Sequence, residues 1–365
     1  MVRILKIIET KIDSVFNITK IYKDYLNKNI LFFDIETTGF SPLTSEVYLI
    51  GCLIYQENSW NLIQFFSESS KEEKKILVAF QQLCNLHPVY IHFNGESFDI
   101  PYIRKKFQQY HLEGFPSDMK QIDLFKKIKS YHLFLQLDNY RLSTLMDFVG
   151  IERQDIFTGG EMIKYYYQYR KNPSRTLQNR ILLHNKEDLL GLPALFSIIQ
   201  NIQLLKQSVN KQNFSIQKIK QKENELQGKI LLNSPLSINL FLNQPWGKMI
   251  LTKEESIIKI VLYLCYKTLY HFFPNYKEYY YLPKQDEAIH KSIGKFVDPS
   301  RREQAKASNC YIKRKGYFLP IFQEINQIPM FSSIEKDKKF ILISSKNIEE
   351  VFVIWYNQYL KFTLG

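Results

Sequence analysis

Two acids one residue apart, Asp34 and Glu36, lie near the end of an apolar run that reads Ile-Leu-Phe-Phe-Asp-Ile-Glu-Thr-Thr-Gly-Phe from Ile30 to Phe40. In an extended chain successive side chains point to opposite faces, so residues two apart share one. Two carboxylates held side by side repel unless a cation lies between them, and hard oxygen donors suit magnesium or manganese. A bare Asp-x-Glu pair is equally the mark of an ordinary solvated strand end, so other residues must decide. Asp99 closes the stretch Asn94-Gly-Glu-Ser-Phe-Asp99, and Asp123 stands between Ile122 and Leu124. His184 and Asp188, four apart in His-Asn-Lys-Glu-Asp, would share one face of a helix. Acids gathered about a cation, beside a histidine that titrates near neutrality, can activate a water.

The elements that must hold these groups are legible in outline. Ile30–Phe40 predicts a buried strand running into a turn at residues 37–42. The apolar runs 47–55 and 60–66 predict a hairpin, and 71–86 has helical spacing with Ile76, Leu77, Phe80 and Leu83 on one face. A further short strand, 89–93, ends at Asn94-Gly95, and a helix after that turn would bring Asp99 to the sheet edge carrying Asp34. Residues 1–28 read as a leading strand or helix, and helical patterns run from Phe98 to about Lys206. Together these predict an α/β mixed sheet flanked by helices. The Gln-, Lys- and Asn-rich stretch around 206–228 reads as a linker or exposed helix between domains at 1–205 and 229–365. Beyond it, 229–242 and 340–344 are strand-like, whereas 254–272 and 348–362 read as helices, a smaller α+β domain.

The ordered set Asp34-x-Glu36, Asn94-x-x-x-Phe98-Asp99 and His184 followed by Asp188 resembles the DnaQ-like (DEDD) 3′–5′ exonucleases of the ribonuclease-H-like fold. The resemblance covers roughly residues 28–200. The segment Arg141–Asp155, with Gly159-Gly160-Glu161 and the tyrosines from Tyr165 to Tyr169, looks like the YprB-like subgroup of bacterial proteins. It implies two-metal hydrolysis of phosphodiester bonds in single-stranded DNA or RNA. Asp34, Glu36 and Asp188 would hold one magnesium or manganese ion, and Asp34 with Asp99 a second. His184 would be the general base, although family members with this spacing generally carry Tyr there. Asp123 is either an outer residue of the metal site or a helix N-cap. Thr37, Gly39, Phe40, Asn94 and Phe98 would meet the terminal nucleotide, with Phe40 and Phe98 equally readable as core. The rival expectations are a nucleic-acid-binding protein that kept the fold without catalysis, and a structure-specific endonuclease.

Charge is divided unevenly. Residues 1–200 hold 24 Lys+Arg against 22 Asp+Glu, and the rest 25 against 14, so +11 of the net +13 lies in the second half. Tyrosines interleaved with cations there, and the run Lys313-Arg314-Lys315, suggest contact with a polyanion. No apolar run reads as a membrane span, the N-terminus reads as part of the fold, and four scattered cysteines fit a reducing cytoplasm.

Overall fold

The computed structural model describes residues 5–12, 29–56, 59–208, 215–232, 234–325, 328–334 and 338–364. The chain divides into two compact units, residues 1–201 and 202–365. In the first, strands β1 (Lys6–Ile12), β2 (Ile30–Thr37), β3 (Val47–Gln56), β4 (Ser59–Phe66), β5 (Val89–His92) and β6 (Lys120–Asp123) form one sheet in the order β1-β4-β3-β2-β5-β6. The pairs β1–β4, β4–β3 and β3–β2 are antiparallel, while β2–β5 and β5–β6 are parallel. Helices α1 (Glu73–Leu86), α2 (Asp99–Gln109), α3 (Leu124–Lys129), α4 (His132–Leu135), α5 (Leu142–Phe148), α6 (Gly159–Lys171) and α7 (Arg175–Ser208) complete it. The leading segment is thus an edge strand at Lys6–Ile12, and residues 13–28 lie outside the described set.

Strand β2 shows how the sheet sorts its residues. Leu31, Phe33 and Ile35 join α1 and α2 in one core, with Phe33 5.3 Å from Phe80 between ring centroids. The even positions turn the other way: Phe32 meets Phe196 of α7, and Asp34 meets Asn185 of the same helix. A strand covered on both faces needs a continuous apolar run, and β3 is buried from Val47 to Ile54 for that reason. By length and composition α7 would pass for a membrane span, contrary to the sequence reading. Its most apolar window has mean hydropathy 1.3, and 72% of that window is buried inside the protein.

The second unit is β-rich. Strands β7 (Ser215–Lys222), β8 (Glu225–Leu231), β9 (Leu240–Gln244), β10 (Gly247–Leu251) and β11 (Ile257–Tyr263) form a sheet in the order β7-β8-β11-β10-β9. A second sheet runs β12-β16-β18-β17, from β12 (Cys265–Phe272), β16 (Tyr311–Pro320), β17 (Met330–Phe331) and β18 (Phe340–Leu342). A third, β14-β13-β15, joins β13 (Tyr279–Leu282), β14 (Glu287–His290) and β15 (Glu303–Gln304), with α8 (Lys291–Gly294) following β14 and α9 (Ile348–Leu364) closing the chain. Two expectations fail here. The helix expected over 254–272 is two strands: Ile258, Ile260 and Leu262 are buried while alternate residues are not, a period of two in a β-branched run. Of the linker or exposed helix expected at 206–228, residues 209–214 lie outside the described set, while 206–208 end α7 and 215–228 enter the β7–β8 pairing, because backbone pairing of β8 to β11 recruits even this polar stretch. The strand at Phe340 and the closing helix are found as expected.

Candidate active site

Three segments far apart in sequence bring the acids of the first unit together. Asp34 and Glu36 lie on the same face of β2, and Asp99 is the first residue of α2. Ile35 donates its backbone N–H to Asp99 Oδ1 at 3.2 Å, which ties the start of α2 to β2. His184 and Asp188 sit one turn apart on α7, with His184 Nε2 3.6 Å from Glu36 Oε1 and 4.0 Å from Asp188 Oδ2. Tyr48 donates to Glu36 Oε2 at 3.4 Å.

Their charges are poorly compensated. Burial, then Asp99, Glu36 and Asp188, raise the Asp34 carboxyl well above its ordinary value against a single hydrogen bond from Asn185. Burial takes Glu36 to about 7, with His184 opposing and Asp188 adding. Asp99 also reaches about 7, through burial, opposed by backbone hydrogen bonds. Asp188 is raised by burial, with His184 and Arg153 opposing. Burial alone would lower His184, but Glu36, Asp188 and Asp155 outweigh it and hold its pKa above the ordinary value.

Several residues that build the site carried no sequence signal. Asp155 is buried and accepts from His184 Nδ1 at 2.5 Å. That bond leaves Nε2 directed toward Glu36 and Asp188. Glu187 accepts from the backbone N–H groups of Gln154 and Asp155, at 3.1 and 2.9 Å, and so fastens their loop to α7. Arg153, on the same loop, pairs with Asp188 and Asp155. Asn185, fully buried, donates to Asp34 Oδ2 at 2.9 Å and accepts from Gln64 at 2.9 Å. The helix can come that close only because Gly51 pairs with Asp34 across β2–β3. A Cβ at Gly51 would lie 2.0 Å from Asn185 Oδ1.

Asp123 is engaged by backbone. Its oxygens accept from Asn94 N at 3.0 Å, Glu96 N at 3.3 Å and Lys126 N at 3.2 Å, so it caps α3 and braces the turn before Asp99. Asn94 adopts φ 60°, and Gly95 packs against the His92 ring, where a Cβ would lie 2.7 Å away. Thr37 donates its hydroxyl to the Gly39 carbonyl at 2.9 Å. Phe40 is 89% exposed and meets the half-buried Phe98 edge to face, with centroids 6.2 Å apart. Lys313, Arg314 and Lys315 belong to β16 of the second unit; Lys313 pairs with Asp286 at 2.7 Å and Arg314 with Glu287 at 2.7 Å.

An all-oxygen set of Asp34, Glu36, Asp99 and Asp188, with Asp34 raised by the other three, fits a divalent cation chemically. Among the described residues, no three histidine, cysteine or carboxylate side chains are grouped tightly enough to hold a metal as they stand.

Residues 31–200, just under half of the chain, match the model of the RNase_H superfamily. No curated protein matches the sequence. Among solved structures, the chain is similar to an apo exonuclease I at 12% identity, with 56% of each chain covered and a TM-score of 0.35. It is similar to E. coli exonuclease I in complex with a dA16 oligonucleotide at 13% identity, covering 57% of this chain and 55% of that one, TM-score 0.30. A family B DNA polymerase from Pyrobaculum calidifontis is 11% identical over 92% of this chain and 46% of its own, TM-score 0.39. The chain therefore spans about half the length of these proteins. The superfamily match and the six-stranded sheet, with three antiparallel pairings, two parallel ones and helices on both faces, give residues 31–200 a ribonuclease-H-like fold.

Proposed function

We propose that this protein is a metal-dependent 3′–5′ exonuclease of the DnaQ-like DEDD type, nearest to the YprB-like subgroup, acting on single-stranded nucleic acid. One observation carries the reading: four acids from β2, α2 and α7, Glu36 and Asp99 buried and Asp34 and Asp188 half-buried, share one electrostatic neighbourhood beside a histidine whose far nitrogen is anchored by Asp155. Asp34, Glu36 and Asp188 would hold one magnesium or manganese ion and Asp34 with Asp99 another. Bound there, such ions neutralise the phosphodiester and stabilise the attacking and departing oxygens. The chain's own residues supply the rest. Asp155 keeps the proton of His184 on Nδ1, so that Nε2 is the atom able to take a proton from water. The field of the acids favours the protonated form of His184, and cancelling that field favours its base form. Asn185 fixes the orientation of the Asp34 carboxylate.

One observation favours a second reading, a nucleic-acid-binding protein without catalysis: Arg153 already engages Asp188. The two readings separate in one assay. With manganese, an end-labelled single strand should shorten from its 3′ end, and Asp34→Ala should abolish this. Equal shortening by Asp34→Ala would remove the site assignment. Cutting of a circular single strand would make the enzyme an endonuclease instead.

A further inference from the structure

A cavity of about 640 Å³ opens beside Asp99. Phe93 after β5, Phe98 before α2 and Phe125 of α3 line it, all half-buried, so each ring keeps free surface. Phe93 and Phe125 meet edge to face with centroids 5.5 Å apart. Two exposed cations stand in the same wall, Lys129 at the end of α3 and Arg141 at the N-cap of α5. Lys126 of α3 pairs with Glu96, whereas neither Lys129 nor Arg141 forms an ion pair among the described residues. Lys129 Nζ lies 5.0 Å from the Phe125 ring centroid.

Three aromatic rings and two cations without ion pairs in one cavity narrow the occupant. An uncharged apolar ligand would have no use for the cations, and a small anion none for three rings. A single strand of nucleic acid uses both, its unpaired bases stacking on aromatic side chains and its phosphates meeting Lys and Arg. The volume falls within the few hundred to about 1,000 Å³ typical of ligand sites. Position adds a reason: acids repel a polyanion, so a strand reaching Asp99 must be held by positive charge close by. Two of the cations singled out in the second unit do not offer this, since Asp286 and Glu287 neutralise Lys313 and Arg314.

We propose that this cavity seats the nucleotides of a single strand next to the bond that is cut, with Phe93, Phe98 and Phe125 taking bases and Lys129 and Arg141 taking phosphates. The proposal rests on the nuclease reading above, but it is tested by binding. Full-length protein in EDTA is titrated with fluorescein-labelled oligo-dT and oligo-rU over a salt series, and anisotropy is read. Substituting both Lys129→Gln and Arg141→Gln should weaken binding and flatten the slope of log K against log salt by about 1.4, roughly 0.7 for each phosphate that is no longer neutralised. Phe125→Leu should weaken binding roughly tenfold with the slope unchanged. Lys313→Gln with Arg314→Gln should leave both quantities alone. Unchanged affinity and slope in the Lys129/Arg141 variant would overturn the proposal, and the nuclease reading would survive if the wild type still shortened strands in manganese. A wild type that neither binds nor cleaves any strand would remove both.

Discussion

Asp99 and Asp286 are the same side chain in opposite surroundings. In the first unit, burial carries Asp99 to about 7 despite backbone hydrogen bonds. In the second, hydrogen bonds from Lys313 first, then Tyr281 and Tyr311, bring Asp286 down to about 2. One carboxylate is satisfied by neighbours of its own unit; the other is buried among like charges. The contrast extends to the units as wholes. The second half of the chain carries most of the positive charge, yet its conspicuous pair of cations is neutralised by acids of β14 and the turn before it. The nearly neutral first half holds acids short of counter-charge and, in Lys129 and Arg141, cations without an ion pair among the described residues. Net charge by region therefore says little about which groups are free to meet a ligand.

The comparison can be broken or sharpened by experiment, most strongly at the acids. Asp34→Ala should abolish manganese-dependent hydrolysis, and EDTA should do the same to the wild type; a variant retaining wild-type rates would mean that the acids serve only the fold. His184→Ala should lower kcat by roughly 10² to 10⁴-fold, the usual contribution of a general base. Asp155→Asn should have a smaller effect, falling on kcat and not KM; a change in KM alone would deny Asp155 its orienting role. The site should also cost stability. Glu36 and Asp99, raised from ordinary values of 4.5 and 3.8 to about 7, keep protons that the unfolded chain releases across that range. Metal-free protein should thus be most stable at acid pH and lose stability as pH rises through that window to about 7. Asp99→Asn should recover part of that lost stability above pH 7, read by thermal or urea unfolding. Stability that climbs with pH over the same range would contradict the buried, uncompensated state of these acids. Gly51→Ala should destabilise by about 1–3 kcal/mol, because its methyl would strike Asn185 and push α7 from β3. The smallest effect is expected on the other side of the comparison, where Lys313→Gln should leave the unfolding midpoint nearly unchanged, as for other exposed ion pairs.

What could be read without coordinates was whatever depends on local periodicity. The alternation of Ile30–Thr37 put Asp34 and Glu36 on one face of a buried strand, and α1 followed from apolar spacing alone. The pairing of His184 with Asp188 needed only the pitch of a helix. Residues 254–272 failed the same kind of reading, because Ile257–Tyr263 is apolar at nearly every position, which hides its period of two until pairing with β8 and β10 sets the buried face. The site's second layer depends on distance in space and left no mark in spacing. Asp155 is 29 residues from His184, Gln64 is 121 from Asn185, and Asn185 is 151 from Asp34. A polar residue among others in a sequence looks like surface, and burial against a specific partner is what turns it into part of a site. The sequence alone determined which acids are carried on regular elements of the first unit. Tertiary packing decided which of them lack a counter-charge, which nitrogen of His184 is anchored, and that Asp123 braces a turn, since each depends on groups brought together only when the strands and helices of the first unit close on one another.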